Sequence, residues 1–330
     1  MGEGGKRAEE HVTPSRFTIG RNLMRFSKLA LALCIGGVLS ASSAFASSLN
    51  AGPNAEMVPT GKGYGIEGNS QAFSQPTGNA KPGGGGNNGI FYHGGPVILG
   101  TTNVHYIWYG NSSWPTSSAS SILTNLAQSL GGSNYFNINT TYYDGNNTHV
   151  SNSVHYSGSV NHSETYGASL SDAQIQQIVA DTNPTDTNGV YFVLTGPDVT
   201  ASSGFCTQYC GWHTHGLIGG LDIKYSFVGD AATQCPSGCM AQTTSPNGDA
   251  GADGMASVLS HELEEAVSDP DLNAWYDRRG AENADKCAWT FGTESTAPNG
   301  SSYNVVLGGK DYLIQRNWVN AGGGYCSMSF

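Results

Sequence analysis

The stretch Ser260-His261-Glu262-Leu263-Glu264-Glu265-Ala266-Val267-Ser268-Asp269-Pro270-Asp271 combines a histidine, several carboxylates and a helical apolar pattern, a coincidence found nowhere else in the chain. On a helix, His261 and Glu265 are i, i+4 neighbours that can grip one metal ion. The spacing is that of H-E-x-x-H, where two histidines bind zinc and the glutamate is general base, with Glu265 replacing the second histidine. Carboxylate is an accepted zinc ligand. Glu262, next to His261, is then the candidate catalytic base that takes a proton from metal-bound water. A third ligand must come from beyond the helix: Asp271, ten residues after His261, or Asp285 in Glu282-Asn283-Ala284-Asp285-Lys286-Cys287. Asp269 is expected to cap locally or to hydrogen-bond a ligand. Zinc is the first expectation for the ion. Two carboxylates with one imidazole make a harder site than usual, so calcium or manganese comes second. The reaction would be hydrolysis of peptides. The rival reading is a non-catalytic binding or signalling protein, with an acidic helix around one buried histidine.

Several elements must position these residues. Pro246-Asn247-Gly248-Asp249-Ala250-Gly251-Ala252-Asp253-Gly254 reads as a turn whose Asp253 caps a helix over 254–268. Pro270 ends that helix, because the residue before a proline resists the helical region. Met255, Leu259, Leu263, Ala266 and Val267 share one apolar arc; His261, Glu262, Glu265 and Asp269 lie on the adjoining arc, and Glu264 is expected to face water. Upstream, Val104–Tyr109, Ile138–Tyr143, Val154–Val160, Gly189–Thr195 and Leu221–Val228 predict strands. Helices are predicted over Ser118–Leu130 and Leu170–Val179, the second capped by Ser171. Short strands at Asn304–Leu307, Tyr312–Gln315 and Tyr325–Met328 punctuate a loop-rich tail. The fold class is α+β, a mixed sheet with a central site-bearing helix, an arrangement likened to the zincins by fold analogy alone.

Residues 29–46 form an apolar run ending in Ala44-Phe45-Ala46 behind Arg25 and Lys28, which reads as a signal peptide over 1–46 with Met24 as an alternative start. Residues 47–88, rich in Gly, Asn, Ser and Pro, read as a linker, and 89–330 as a single domain. The first 46 residues hold six of the 14 Lys/Arg and three of the 25 Asp/Glu, leaving 8 basic and 22 acidic residues and a net charge of −14. Such a surface repels nucleic acid and anionic lipid, so neither is an expected partner; an extracellular peptide, protein or cell-wall component is. The cysteines beyond residue 46 are Cys206, Cys210, Cys235, Cys239, Cys287 and Cys326, which in a secreted chain read as disulfides. The short spacings favour Cys206–Cys210 and Cys235–Cys239, leaving Cys287–Cys326. His213 and His215, at i, i+2 of a strand, share a face; packing beside a disulfide is preferred to metal binding for them.

Several ordered motifs resemble the EXORDIUM, or phosphate-induced protein, family of secreted plant and microbial proteins. They include Tyr92-His93-Gly94-Gly95-Pro96-Val97, Ile107-Trp108-Tyr109-Gly110, Gly189-Val190-Tyr191, Cys206 and Cys210 before Gly211-Trp212-His213, and Cys235-Pro236 with Cys239. Pro246-Asn247-Gly248-Asp249, Asp253-Gly254-Met255, His261-Glu262-Leu263 with Glu265, Asn273-Ala274-Trp275-Tyr276, and Glu282, Ala284, Asp285 and Cys287 complete the set. The resemblance spans about residues 90–330. It implies an extracellular or wall-associated protein linked to growth and nutrient responses, and it favours Asp285 over Asp271 as third ligand. It implies no reaction.

Overall fold

Seven consecutive residues, Gly189–Thr195, are buried without alternation, as a strand covered on both faces requires. In this computed structural model, which describes residues 89–330, that strand (β3) is the middle of a five-stranded sheet. The signal peptide read at 1–46 and the linker at 47–88 lie outside the described residues. β1 (Thr102–Gly110) and β2 (Val154–Ser163) lie on one side of β3; β4 (Gly211–Ile218) and β5 (Leu221–Gly229) lie on the other, in the order β2-β1-β3-β5-β4. All pairings are parallel except β4–β5, a hairpin turned by Gly219 and Gly220 at positive φ. The expected mixed sheet is therefore present: helices connect β1 to β2 and β2 to β3, whereas β3 reaches β5 through β4 without one.

Helix α1 (Ser117–Leu130) is capped by Thr116, whose hydroxyl accepts from the Ala119 N–H at 3.0 Å, and it buries Ile122, Leu123, Leu126 and Leu130. The Tyr106 hydroxyl donates to Leu123 O at 2.9 Å, which fixes α1 over the Tyr106 face of the sheet. Helix α2 (Asp172–Asp181) is capped by Ser171 as the sequence predicts, and Gln174 bonds back to complete a capping box. Helix α3 (Ala250–Ser268) follows β5 and packs against α1, β4 and β5.

Three local expectations are corrected. α3 starts at Ala250, capped by Asp249 Oδ1 accepting from the Ala252 N–H at 3.1 Å, so Asp253 is not the cap. Asp253 instead accepts from Asn247 Nδ2 at 2.7 Å. The glycines that mimic a turn belong to the helix because neighbours crowd it: a Cβ on Gly251 would stand 2.3 Å from Asp230 Oδ1, and one on Gly254 2.8 Å from Met240 Cγ. Ile138–Tyr143, read as a strand, is largely a 3-10 helix, Phe136–Thr141. There the Thr140 and Thr141 hydroxyls bond back to the Asn137 and Ile138 carbonyls, a local alternative to strand pairing. The strand on which His213 and His215 are placed is Gly211–Ile218, its alternation obscured by Gly211 and Gly216.

The disulfides are Cys206–Cys235, Cys210–Cys239 and Cys287–Cys326, so only the last matches the expected pairing. Cys235 and Cys239 span one helical turn, the Cys239 N–H donating to Cys235 O at 3.0 Å. On such a turn, Cβ atoms four residues apart are about 5–6 Å from each other, beyond the roughly 3.5–4.5 Å a disulfide needs. Both thiols of each short segment therefore face the other segment, with Cα–Cα separations of 5.6 and 5.4 Å.

The tail closes over α3 and α1 through two hairpins, Val305–Leu307 with Lys310–Tyr312 and Asn317–Val319 with Tyr325–Ser327. The Tyr312 hydroxyl donates to Ile122 O at 2.8 Å, and Asn317 Nδ2 donates to Glu264 Oε2.

Candidate metal centre

The register Tyr106–Phe192–Ser226–His213 places His213 on the sheet face that α1 and α3 cover. Two residues earlier, Gly211 shares that face, and α3 comes so close that a Cβ there would meet Val258 Cγ1 at 2.6 Å and Glu262 Oε1 at 3.1 Å. The helix thus runs its Val258–Glu262–Glu265 edge along β4, and Glu265 arrives at His213. His213 Nε2 lies 3.7 Å from Glu265 Oε2 and 3.1 Å from Glu282 Oε2. His261 Nε2 lies 3.1 Å from Glu265 Oε1 and 3.5 Å from Asp285 Oδ1. The side chains of His213, Glu265, Glu282 and Asp285 are 0% exposed and that of His261 is 2% exposed.

The loop carrying Glu282 and Asp285 is organised around the same carboxylate. The Asp285 N–H donates to Glu265 Oε1 at 3.0 Å, and the Glu282 N–H donates to Asp285 Oδ2 at 3.3 Å. Cys287, at the end of this loop, is bridged to Cys326, so the loop is held covalently as well. Burial pushes the Glu265 carboxyl well above its ordinary pKa, with Asp285 and Glu282 adding to the rise and His261 opposing it. Burial alone would lower the His261 imidazole, but the charge of Glu265, the nearby Asp285 carboxylate and the charge of Glu262 outweigh it, holding the pKa well above the usual value. Concentrated negative charge at a buried imidazole is the electrostatic condition that also attracts a cation.

Of the residues singled out in the sequence, His261, Glu265 and Asp285 converge with donor atoms within 4.8 Å of one another. Asp271 does not join them. It lies 3.7 Å from His215 and 3.1 Å from Lys224 Nζ, and Lys224 also meets Asp222 at 2.8 Å, so that cluster carries its own cation. Asp269 acts locally as expected, its Oδ1 accepting from the Asn273 and Ala274 N–H groups at 2.6 Å each. Glu264 does not face water: it is 1% exposed, held by Asn317, and burial raises its pKa well above the carboxylate range. The amphipathic reading of α3 fails here because the tail sheathes the face assigned to solvent. Sequence reasoning missed His213 and Glu282 as partners of Glu265. The local signal for each is weak: His213 stands close to a disulfide cysteine, and Glu282 three residues before Asp285 in a loop that shows no periodicity.

A zinc ion bound by N and O donors at about 2.0–2.2 Å puts its ligands about 3.3–3.6 Å apart when tetrahedral. The 3.5 Å separation of His261 and Asp285 falls within that spacing and the 3.1 Å separation of His261 and Glu265 lies just below it, so small shifts would let the donor set fit a small divalent ion.

Residues 90–327 match the phosphate-induced protein 1 conserved region. The chain is 32% identical over 270 residues to Protein EXORDIUM-like 5 of Arabidopsis thaliana, covering 69% of this chain and 74% of that protein. It is 31% identical over 270 residues to Protein EXORDIUM-like 3 of the same plant, covering 69% and 79%. It is 31% identical over 215 residues to Protein PHOSPHATE-INDUCED 1 of Nicotiana tabacum, covering 56% and 66%. No solved structure matches the chain. The conserved region runs through every strand of the sheet, all of α3 and the loop bearing Glu282 and Asp285, and the chain belongs to the phosphate-induced protein 1 family.

Proposed function

We propose that this chain is a secreted metalloprotein that holds zinc at His261, Glu265 and Asp285 on a zincin-like helix, and that the ion serves hydrolysis of extracellular peptides. The carrying observation is the convergence of these donors, from two parts of the chain, at ligand-like separations in a buried site. Zinc lowers the pKa of bound water toward neutrality, and Glu262, next to His261 and facing Gly211, is the carboxylate assigned to take the proton. Secretion is supported by the apolar run ending at Ala46 and by three disulfides, which persist in oxidising compartments.

The depth of the site favours a second reading, a structural ion in a non-catalytic extracellular or cell-wall protein, because Glu262 is only 1% exposed. Metal content and melting with and without chelator, followed by a peptide-library assay, separate the two. Bound zinc with cleavage that Glu262→Gln abolishes while the metal is retained supports the hydrolase; losing a general base typically costs ~100–10,000-fold in rate. Bound zinc without cleavage supports the structural ion. A metal-free, chelator-insensitive protein ends both readings.

A further inference from the structure

We infer that this centre takes two divalent cations bridged by Glu265, one held by His261, Glu265 Oε1 and Asp285, the other by His213, Glu265 Oε2 and Glu282. The inference rests on the reading of the centre as a metal site and adds a second ion to it. The donors fall into two sets of three, each set within 4.8 Å, and Glu265 is the member they share. Its two oxygens are divided between them, Oε1 at 3.1 Å from His261 Nε2 and Oε2 at 3.7 Å from His213 Nε2. A carboxylate presenting one oxygen to each of two imidazoles is the bridging arrangement, and two-metal sites hold their ions about 3.5–4 Å apart.

His213 Nε2 and Glu282 Oε2 are hydrogen-bonded at 3.1 Å, but two observations on the shared Glu265 and on His261 point to a ligand. Neither ring nitrogen of His261 makes a hydrogen bond, although Nε2 is 3.1 Å from Glu265 Oε1. The N–H direction and the carboxylate do not line up, as is expected of two donors that converge on a third atom. Glu265 Oε2 likewise accepts no hydrogen bond, in a side chain that is 0% exposed. An unsatisfied buried carboxylate oxygen is costly, and a cation beside it removes that cost. Charge counts the same way. One divalent ion leaves the three carboxylate ligands with an excess negative charge. Two ions leave an excess positive charge, which a bridging hydroxide cancels; that hydroxide is the nucleophile two-metal hydrolases use.

The test uses the full secreted chain, loaded with zinc and dialysed, with metal counted by elemental analysis. The expected result is about two zinc ions per chain, falling to about one in His213→Ala and in His261→Ala, since each variant empties one half of the centre. Manganese loading gives a second readout that needs no variant. Ions this close couple magnetically, so the resonance spectrum should differ from that of isolated Mn2+. A single zinc lost in both histidine variants overturns the two-ion inference while leaving the metalloprotein reading intact. Two ions with an uncoupled manganese spectrum also overturn it, by placing the second elsewhere. No bound metal overturns both.

Discussion

Replacing Gly211 with alanine tests the contact that brings α3 to the sheet. The added Cβ would stand 2.6 Å from Val258 Cγ1, 2.9 Å from Phe227 O and 3.1 Å from Glu262 Oε1. The carboxylate can swing aside, but Phe227 O is backbone, and a valine on a helix has essentially one rotamer. Helix and strand must therefore separate by several tenths of an ångström, and overpacking of this kind costs about 1–3 kcal/mol. Gly211 does not have positive φ, so alanine loses less chain entropy on folding and regains about 0.4–1 kcal/mol. With the middle of each range, about 2 less about 0.7, the net destabilisation expected is about 1.3 kcal/mol, a melting drop of about 3–5 °C for a domain of this size. Urea unfolding of Gly211→Ala, Val258→Ala and the double variant measures it. Removing Val258 Cγ1 relieves the tightest contact, so the double variant should be more stable than the sum of the singles by about 1 kcal/mol. Strict additivity, or a Gly211→Ala protein as stable as the parent, would refute this account of the helix–strand contact.

Two further outcomes follow from the same coordinates. Replacing both Cys287 and Cys326 with serine opens a loop with a sequence separation of 39, and the chain-entropy relation then gives a loss of about 4 kcal/mol. A loss below about 1 kcal/mol in denaturant unfolding contradicts it. Asp230, 4% exposed beneath the first turn of α3, has its pKa pushed up to about 6 from 3.8, mainly by burial, with Asp249 adding to the rise. Because the folded value is the higher one, its contribution is fully present below pH ~4 and is lost as pH rises through about 6, roughly 3 kcal/mol in all. Asp230→Asn lacks that loss, so its stability relative to the parent should increase by this amount between pH 4 and 7; a pH-independent difference in unfolding free energy would count against the shift.

Where one local rule decides the structure, the sequence was legible. Val190–Leu194 is an unbroken run of apolar and aromatic residues and lies in a strand buried on both faces; Ser171 announces the cap of α2; Pro270 marks the end of α3. The spacing of His261 and Glu265 was enough to bring them together, and Asp285 joined them as expected. What escaped depends on contacts between distant segments. Gly251 and Gly254 look like turn residues but admit Asp230 and Met240 against a helix, and Gly211 looks like a breaker but admits α3 against a strand. Glu264 looks solvent-facing because the Asn317 that buries it lies 53 residues away. His213 reaches Glu265 only through the β4–β5 register, which nothing local specifies.

The bridges Cys206–Cys235 and Cys210–Cys239 join the same two short segments, and the β4–β5 hairpin that carries His213 lies wholly between them. Once either bridge exists, the other closes no new long loop; its two thiols are already tethered near each other. Tethered groups meet at millimolar effective concentrations, so when a reductant thiol opens one bridge as a mixed disulfide, the freed cysteine thiolate attacks that mixed disulfide within the chain, expels the reductant thiol and restores the bridge before a second reductant arrives. Reductive release of the hairpin therefore requires both bridges to be open at the same moment. Its sensitivity to a reductant should be steeper than first order, which gives the histidine-bearing hairpin a threshold rather than a graded response to redox conditions.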